Sequence, residues 1–205
     1  MKKPLIKICG LRRKIDTDYV NEFDVSFAGF VFAKSKRQID IETALEIKKA
    51  LRDDIKTVGV FADMEASEVR RITDSVGLDV VQLHSDEDNA YCSLFKDKIV
   101  WKALHVKDGS VLEKADLYDV DGFLLDAYDK GMRGGTGKCI NWELAAEFAK
   151  KHYTVLAGGI SAENICEAAS VVNPDVIDLS SSVETDGFKD YNKIKQLFEA
   201  LKERN

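Results

Sequence analysis

An apolar run, Phe123-Leu124-Leu125, ends in the carboxylate of Asp126 and opens into a loop that closes on Gly134, Gly135 and Gly137. A carboxylate at the carboxyl end of a strand can work as an acid or a base, and a glycine-rich turn lets backbone N–H groups approach an anion without obstruction from Cβ. Gly137-Lys138 also looks like part of a nucleotide-binding loop. That signature wants a glycine where Met132 stands and a Ser or Thr where Cys139 stands, so it fails on spacing. A plainer use of these glycines stays open, since many strand–helix connections carry glycine only to turn the chain.

A second reactive group lies near the amino end. Lys7 and Cys9 alternate with Ile6 and Ile8, so a strand there puts lysine and cysteine on one face, toward a barrel interior, and the isoleucines on the face that packs against helices. Cysteine acts as a nucleophile or base only as thiolate, and its reference pKa of about 8.5 can fall beside a cation such as Lys7. The alternative is a small buried apolar residue, the usual condition of a free cysteine. By the same alternation Leu124 and Asp126 share a face, as do Asp178 and Ser180. Asp126 stands at its strand's end, in reach of a ligand, whereas Asp178 lies one layer deeper, where its part is to neutralise Lys7. His84 closes Val80-Val81-Gln82-Leu83-His84, with positioning, packing and catalysis all open to it; His105 and His152 read as incidental.

Two further loops are built of small residues: Ala157-Gly158-Gly159, and Ser180-Ser181-Ser182 running into Val183-Glu184. To make one site of such scattered groups, the chain must bring many strand ends together. Short β-branched and aromatic runs at about 5–9, 27–32, 56–61, 78–83, 98–104, 121–126, 153–157 and 175–180 alternate with helical patterns at about 14–23, 40–52, 65–76, 86–96, 109–117, 141–151, 161–172 and 190–203. Ser85, Asn141 and Ser161 stand as helix-starting residues, with acidic side chains just after them. Eight βα units without a linker predict a single α/β domain over 1–205, a closed eight-stranded parallel TIM barrel. In that fold the active site lies at the carboxyl ends of the strands, and phosphates rest on the loops after strands seven and eight, which here are the two small-residue loops. An open doubly wound sheet would want a dinucleotide fingerprint after the first strand, where Cys9-Gly10-Leu11-Arg12 stands instead.

With 205 residues, 45% hydrophobic and 32% charged, the chain can bury one sizeable core. The formal charge of -6 argues against a nucleic-acid or anionic-membrane surface, although a local basic pocket for a small anion is compatible with it. The opening apolar stretch is broken at Lys7, and no run approaches the roughly 20 apolar residues of a membrane span. Cys9, Cys92, Cys139 and Cys166 lie far apart, which signals neither a disulfide framework nor a zinc site and fits reduced thiols in a cytoplasmic protein.

Together, Lys7-Ile8-Cys9-Gly10-Leu11, Gly29-Phe30-Val31-Phe32 with Ser35-Lys36-Arg37, Val81-Gln82-Leu83-His84, Leu125-Asp126, Gly134-Gly135-Thr136-Gly137, Leu156-Ala157-Gly158-Gly159-Ile160, Asp178-Leu179-Ser180-Ser181, Val183-Glu184 and Gly187-Phe188-Lys189-Asp190 span the whole chain. In order and spacing this set closely resembles the phosphoribosylanthranilate isomerase family, small single-domain barrels of tryptophan biosynthesis. The resemblance implies a cofactor-free and metal-free Amadori rearrangement of N-(5-phosphoribosyl)anthranilate to 1-(2-carboxyphenylamino)-1-deoxyribulose 5-phosphate. It implies Asp126 as the general acid and Cys9 as the general base, with Arg37 meeting the anthranilate carboxylate. Phosphate is then expected against Gly158, Gly159, Ser181 and Ser182, with Gly135 and Gly137 nearby and His84 among the substrate-binding residues. The partner is a phosphorylated small molecule, with no nucleic acid or membrane, and monomer and homodimer are both compatible with the sequence. Two departures from the family pattern are Ser182 and Ser85, where glycine is common. Of the rival phosphosugar barrels, the histidine-pathway aminoaldose isomerase is expected to carry an aspartate where Cys9 stands, and indole-glycerol-phosphate synthase to rely on lysine and glutamate chemistry at its strand ends; a silent barrel serving as a binding module would not need both Cys9 and Asp126.

Overall fold

Eight parallel strands close on themselves in chain order: β1 (Leu5–Cys9), β2 (Phe27–Val31), β3 (Lys56–Phe61), β4 (Val80–Leu83), β5 (Ile99–Val106), β6 (Gly122–Ala127), β7 (Thr154–Leu156) and β8 (Val176–Leu179), with β8 pairing back onto β1. The computed structural model describes residues 3–127 and 141–203. The loop carrying Gly134, Gly135 and Gly137 lies outside them, as does Cys139. Strand ends shift by one or two residues at most from the pattern expected of the sequence.

The strands are apolar on both faces because both are covered. Phe27, Val58, Val80, Trp101, Leu124, Val155 and Val176 fill the barrel interior as one cluster. Ile6, Ile8, Ala28, Phe30, Val81, Leu83, Leu125 and Ile177 point the other way and belong to the larger cluster that also takes in buried residues of the helices. At the amino ends of the strands three aspartates repeat one device. Asp79, Asp121 and Asp175 accept hydrogen bonds from the backbone N–H groups of Thr57, Val100 and Thr154, at 2.8, 2.8 and 2.9 Å. Each aspartate precedes one strand and holds the start of its neighbour, which sets register on the face opposite the site.

The helices are α1 (Lys14–Asn21), α2 (Ile41–Ala50), α3 (Ala66–Val76), α4 (Asn89–Cys92), α5 (Ser110–Ala115), α6 (Trp142–Ala149), α7 (Ile165–Val172) and α8 (Tyr191–Glu203). Asn141 caps α6 as its sequence position implies, its side chain accepting from Leu144 N–H. The other two expected starts are displaced. Asp88, not Ser85, caps α4, which is a single turn continued by a 3-10 turn at Ser93–Phe95. Around Ser161 the chain first makes a side-chain-bonded turn, Ser161 N–H to Asn164 Oδ1 at 2.9 Å, and α7 begins only at Ile165. In both cases a polar side chain bonds locally and competes with the helix.

One element has no counterpart in the pattern expected of the sequence. After β8 and a 3-10 turn at Ser181–Val183, the chain forms a small antiparallel hairpin, β9 (Glu184–Thr185) and β10 (Phe188–Lys189). Asp186 and Gly187 make its turn with φ of 51° and 79°. Asp-Gly is the pair that tolerates positive φ at both central positions, so the signal was present in the sequence.

Candidate active site

Cys9 is the last residue of β1, on the inner face, 7% exposed. Its neighbour on β2 is Gly29, where a Cβ would lie 2.8 Å from the Cys9 sulfur and 2.9 Å from its Cα, so the seat of the thiol requires glycine there. One layer below, Lys7 is fully buried and donates to Asp178 Oδ2 at 2.9 Å, across the β1–β8 pairing. The deeper carboxylate thus neutralises the buried lysine, as alternation along the strands implies. Burial works against the Lys7 ammonium, but the charges of Asp178 and Cys9 hold its pKa above the ordinary value. Burial pushes the Cys9 thiol up; Lys7 and Lys189 pull the other way, while Asp178 adds to the rise.

Lys189 comes from the hairpin. It is 3% exposed and donates to Glu184 Oε1 at 2.8 Å and to the carbonyl of Ser180 at 3.1 Å. Glu184 in turn accepts both arms of Arg37, Nε at 2.8 Å and Nη2 at 2.7 Å, a bidentate pair across 147 residues of sequence separation. The arginine stem rests on Gly10, where a Cβ would stand 2.7 Å from Arg37 Cδ and where φ is +85°. Outside the hairpin, Arg12 and Arg13 lie over the ring of Phe188, with guanidinium carbons 4.4 and 4.5 Å from its centroid. The hairpin is therefore clamped from outside by two arginines while it presents Glu184 and Lys189 inward. Those two residues stood in the sequence without a role, because only the hairpin turn brings them to the mouth.

Farther round the barrel, Asp126 lies near the end of β6, 8% exposed and on the same inner face as Leu124. His84 Nε2 is 3.6 Å from Asp126 Oδ2, and Gln82 Nε2 is 3.0 Å from His84 Nδ1. His105, read from sequence as incidental, pairs in register with Asp126, and its ring centroid is 6.3 Å from that of His84. Burial lowers the His105 pKa, with the Asp126 charge opposing. His152 sits away from the site, 4.6 Å from the ring of Phe148 and 5.3 Å from that of Phe123, centroid to centroid.

Gly158 and Gly159 follow β7 with φ of 80° and 68°. A side chain would be strained at both, so the backbone itself forms this wall of the mouth. Asn164 braces it by donating to the Gly159 carbonyl at 2.9 Å. Ser181 and Ser182 open the 3-10 turn after β8, and Ser180 Oγ ties that turn to β1 by donating to the Cys9 carbonyl at 3.2 Å. The fold thus gathers Cys9, Arg37, His84, Asp126, Gly158, Gly159, Ser181 and Ser182 at one end of the strands, where this architecture places its chemistry.

Residues 6–200 match the family model described as N-(5'phosphoribosyl)anthranilate (PRA) isomerase. The chain belongs to the PRA isomerase family. It is an isomerase of tryptophan biosynthesis. Its similarity to the N-(5'-phosphoribosyl)anthranilate isomerase of Thermoanaerobacter sp. (strain X514) is 45% identity, covering 96% of this chain and 97% of that one. The protein of the same name from Acetivibrio thermocellus is 46% identical, covering 97% and 95%. Among solved structures, the PRA isomerase of Thermotoga maritima superposes with a TM-score of 0.87 at 31% identity, covering 98% of this chain and all of that one. A PRA isomerase in complex with reduced 1-(o-carboxyphenylamino)-1-deoxyribulose 5-phosphate superposes with a TM-score of 0.84 at 31% identity, with the same coverage.

Proposed function

We propose that the chain converts N-(5'-phosphoribosyl)anthranilate to 1-(o-carboxyphenylamino)-1-deoxyribulose 5-phosphate, with Asp126 as general acid and Cys9 as general base. The observation that carries the reading is a buried thiol beside two lysines and a buried carboxyl beside a histidine, on β1 and β6 of one barrel mouth. Asp126 gives its proton to the ribose ring oxygen. The C1'–O bond breaks as the anthranilate nitrogen supplies its electron pair, and a C1'=N Schiff base forms. Cys9 as thiolate then takes the proton from C2', the C2'–H electrons become the C1'=C2' bond and the C1'=N pair returns to nitrogen; the resulting enolamine tautomerises to the ketone as its C2' hydroxyl loses a proton and C1' gains one. An acid and a base are needed in one turnover, and a carboxyl and a thiol in separate environments can hold those opposite states.

The remaining groups bind. Arg37 offers Nη1, the corner of its fork that Glu184 does not engage, to the anthranilate carboxylate. Backbone at Gly158, Gly159, Ser181 and Ser182 takes the phosphate. Gly135 and Gly137, expected near it from the sequence, lie outside the described residues. Lys7 and Lys189 are the charges that favour the thiolate. The test is to supply the purified chain with substrate generated in situ and follow its anthranilate fluorescence. A loss of fluorescence proportional to protein concentration is expected, and persistent fluorescence with folded protein would overturn the assignment.

A further inference from the structure

We propose that Gln82 is a positioning residue that fixes His84 as the neutral Nε2–H tautomer, so that His84 orients the Asp126 carboxyl without placing a charge beside it. The proposal rests on the reading of Asp126 as the acid and extends it to Gln82, which has no role in the reaction so far.

Gln82 and His84 are two residues apart at the end of β4 and so share the inner face. The Gln82 amide is 1% exposed, and its nitrogen stands 3.0 Å from His84 Nδ1. An amide nitrogen only donates, so with the amide in this orientation Nδ1 offers its lone pair and the ring proton goes to Nε2. That nitrogen faces Asp126 Oδ2 at 3.6 Å, just beyond a hydrogen bond, as catalytic contacts often are before substrate closes them. The backbone holds the ring in place: His84 N–H donates to Phe61 O at 2.8 Å, and Lys102 clamps the following loop through the Ser85 carbonyl and Glu87 at 3.1 Å.

Neutrality matters because of what the neighbour must do. An imidazolium would need a second proton on Nδ1, directed at the Gln82 N–H group, and its charge would favour the Asp126 carboxylate over the proton-bearing acid. A neutral N–H donor orients a carboxyl without that penalty. The other titratable groups around His84 are His105 from β5, Asp63 after β3, which accepts from Ser85 Oγ, and Asp86 and Glu87 on its own loop. Gln82 Oε1 is buried with no hydrogen-bond partner among the described residues, so the nitrogen facing Nδ1 is the hydrogen-bonded end of the amide.

The test is imidazole ¹⁵N NMR of histidine-labelled full-length protein at about pH 7, with His84 assigned by loss of its signals in His84→Asn. The wild type is expected to show His84 as Nε2–H. In Gln82→Met the two tautomers should mix, and kcat should fall about tenfold with KM within about twofold, a modest share of a general-acid effect. In Gln82→Glu the new carboxylate accepts from Nδ1–H and drives the ring to the other tautomer or to imidazolium. An Nδ1–H tautomer in the wild type overturns the proposal, and needs no variant to fold. So does Gln82→Met with unchanged kcat. Normal turnover by Asp126→Asn would sink the acid assignment instead, leaving the tautomer itself decided by the spectrum.

Discussion

Glu184 holds Arg37 by both arms of its guanidinium fork, at 2.8 and 2.7 Å, and shares one of its oxygens with Lys189 at 2.8 Å. The pair joins the loop after β2 to the hairpin after β8, within electrostatic reach of Cys9 on β1. Geometry of this kind is stronger than an ordinary ion pair because two parallel hydrogen bonds align the fork and little side-chain freedom is left to lose. It also aims the arginine: the carboxylate of Glu184 occupies two of its nitrogens and leaves the third corner to define where a second carboxylate can bind.

Replacing Arg37 by alanine should therefore act on binding first. A charge-assisted hydrogen bond is worth about 1.5–3 kcal/mol, so KM is expected to rise roughly tenfold or more with a smaller change in kcat. Steady-state kinetics reads this directly, and an unaltered KM would move the carboxylate site away from Arg37.

Stability should follow the same pair with a definite pH sign. Burial pushes the Glu184 carboxyl up, but the Arg37 hydrogen bonds and the Lys189 charge more than offset it and hold the group below its ordinary 4.5. A carboxyl lowered by folding contributes stability above its unfolded value and loses it as pH falls through the folded one. Glu184→Gln should cost about 3 kcal/mol in urea unfolding near neutrality, the scale of a broken buried pair. The gap to wild type should shrink once pH drops below about 4. A gap that stayed constant into acid would show that the carboxylate charge is not the source of the effect.

Asp126→Asn and Cys9→Ser should each lower kcat by roughly 10²-fold or more while KM changes little, because general acid and base terms act in the transition state. Normal turnover in either variant would remove the role assigned to that residue alone.

Gly29→Ala probes the seat of the thiol without touching it chemically. The new Cβ meets the sulfur at 2.8 Å and the Cα of Cys9 at 2.9 Å, so backbone as well as side chain must give way. A cost of about 1–3 kcal/mol is expected, as for overpacked cores, together with a fall in kcat. If the variant kept both wild-type Tm and kcat, the close approach of β2 to Cys9 would have no bearing on its placement.

What the sequence determined by itself was whatever depends on short-range periodicity. Eight apolar runs alternating with helical spacing imply the barrel, since a strand apolar on both faces must be covered on both. Period-two alternation turns Lys7, Cys9, Asp126 and Asp178 inward and anticipates the Lys7–Asp178 pair at 2.9 Å. The strand-end position of Asp126 and the small-residue loops after β7 and β8 followed in the same way. Local competition spoiled the finer detail: Asp88 caps α4 in place of Ser85, and the Asn164 side chain bonds back to Ser161 N–H and the Gly159 carbonyl, so that α7 starts only at Ile165, because turn-forming hydrogen bonds a few residues away were equally available to the chain. The tertiary structure alone decided which distant groups meet. Glu184 and Lys189 have no assigned role in the sequence until the Asp186-Gly187 turn brings them to the mouth near Cys9. Gln82 and His84 gain their meaning from Asp126 two strands away, and His105, which no spacing singled out, comes beside Asp126 because β5 pairs with β6. The physical reason is the same in each case: alternation along a strand fixes which way a side chain points, but only closure of the barrel fixes what it faces.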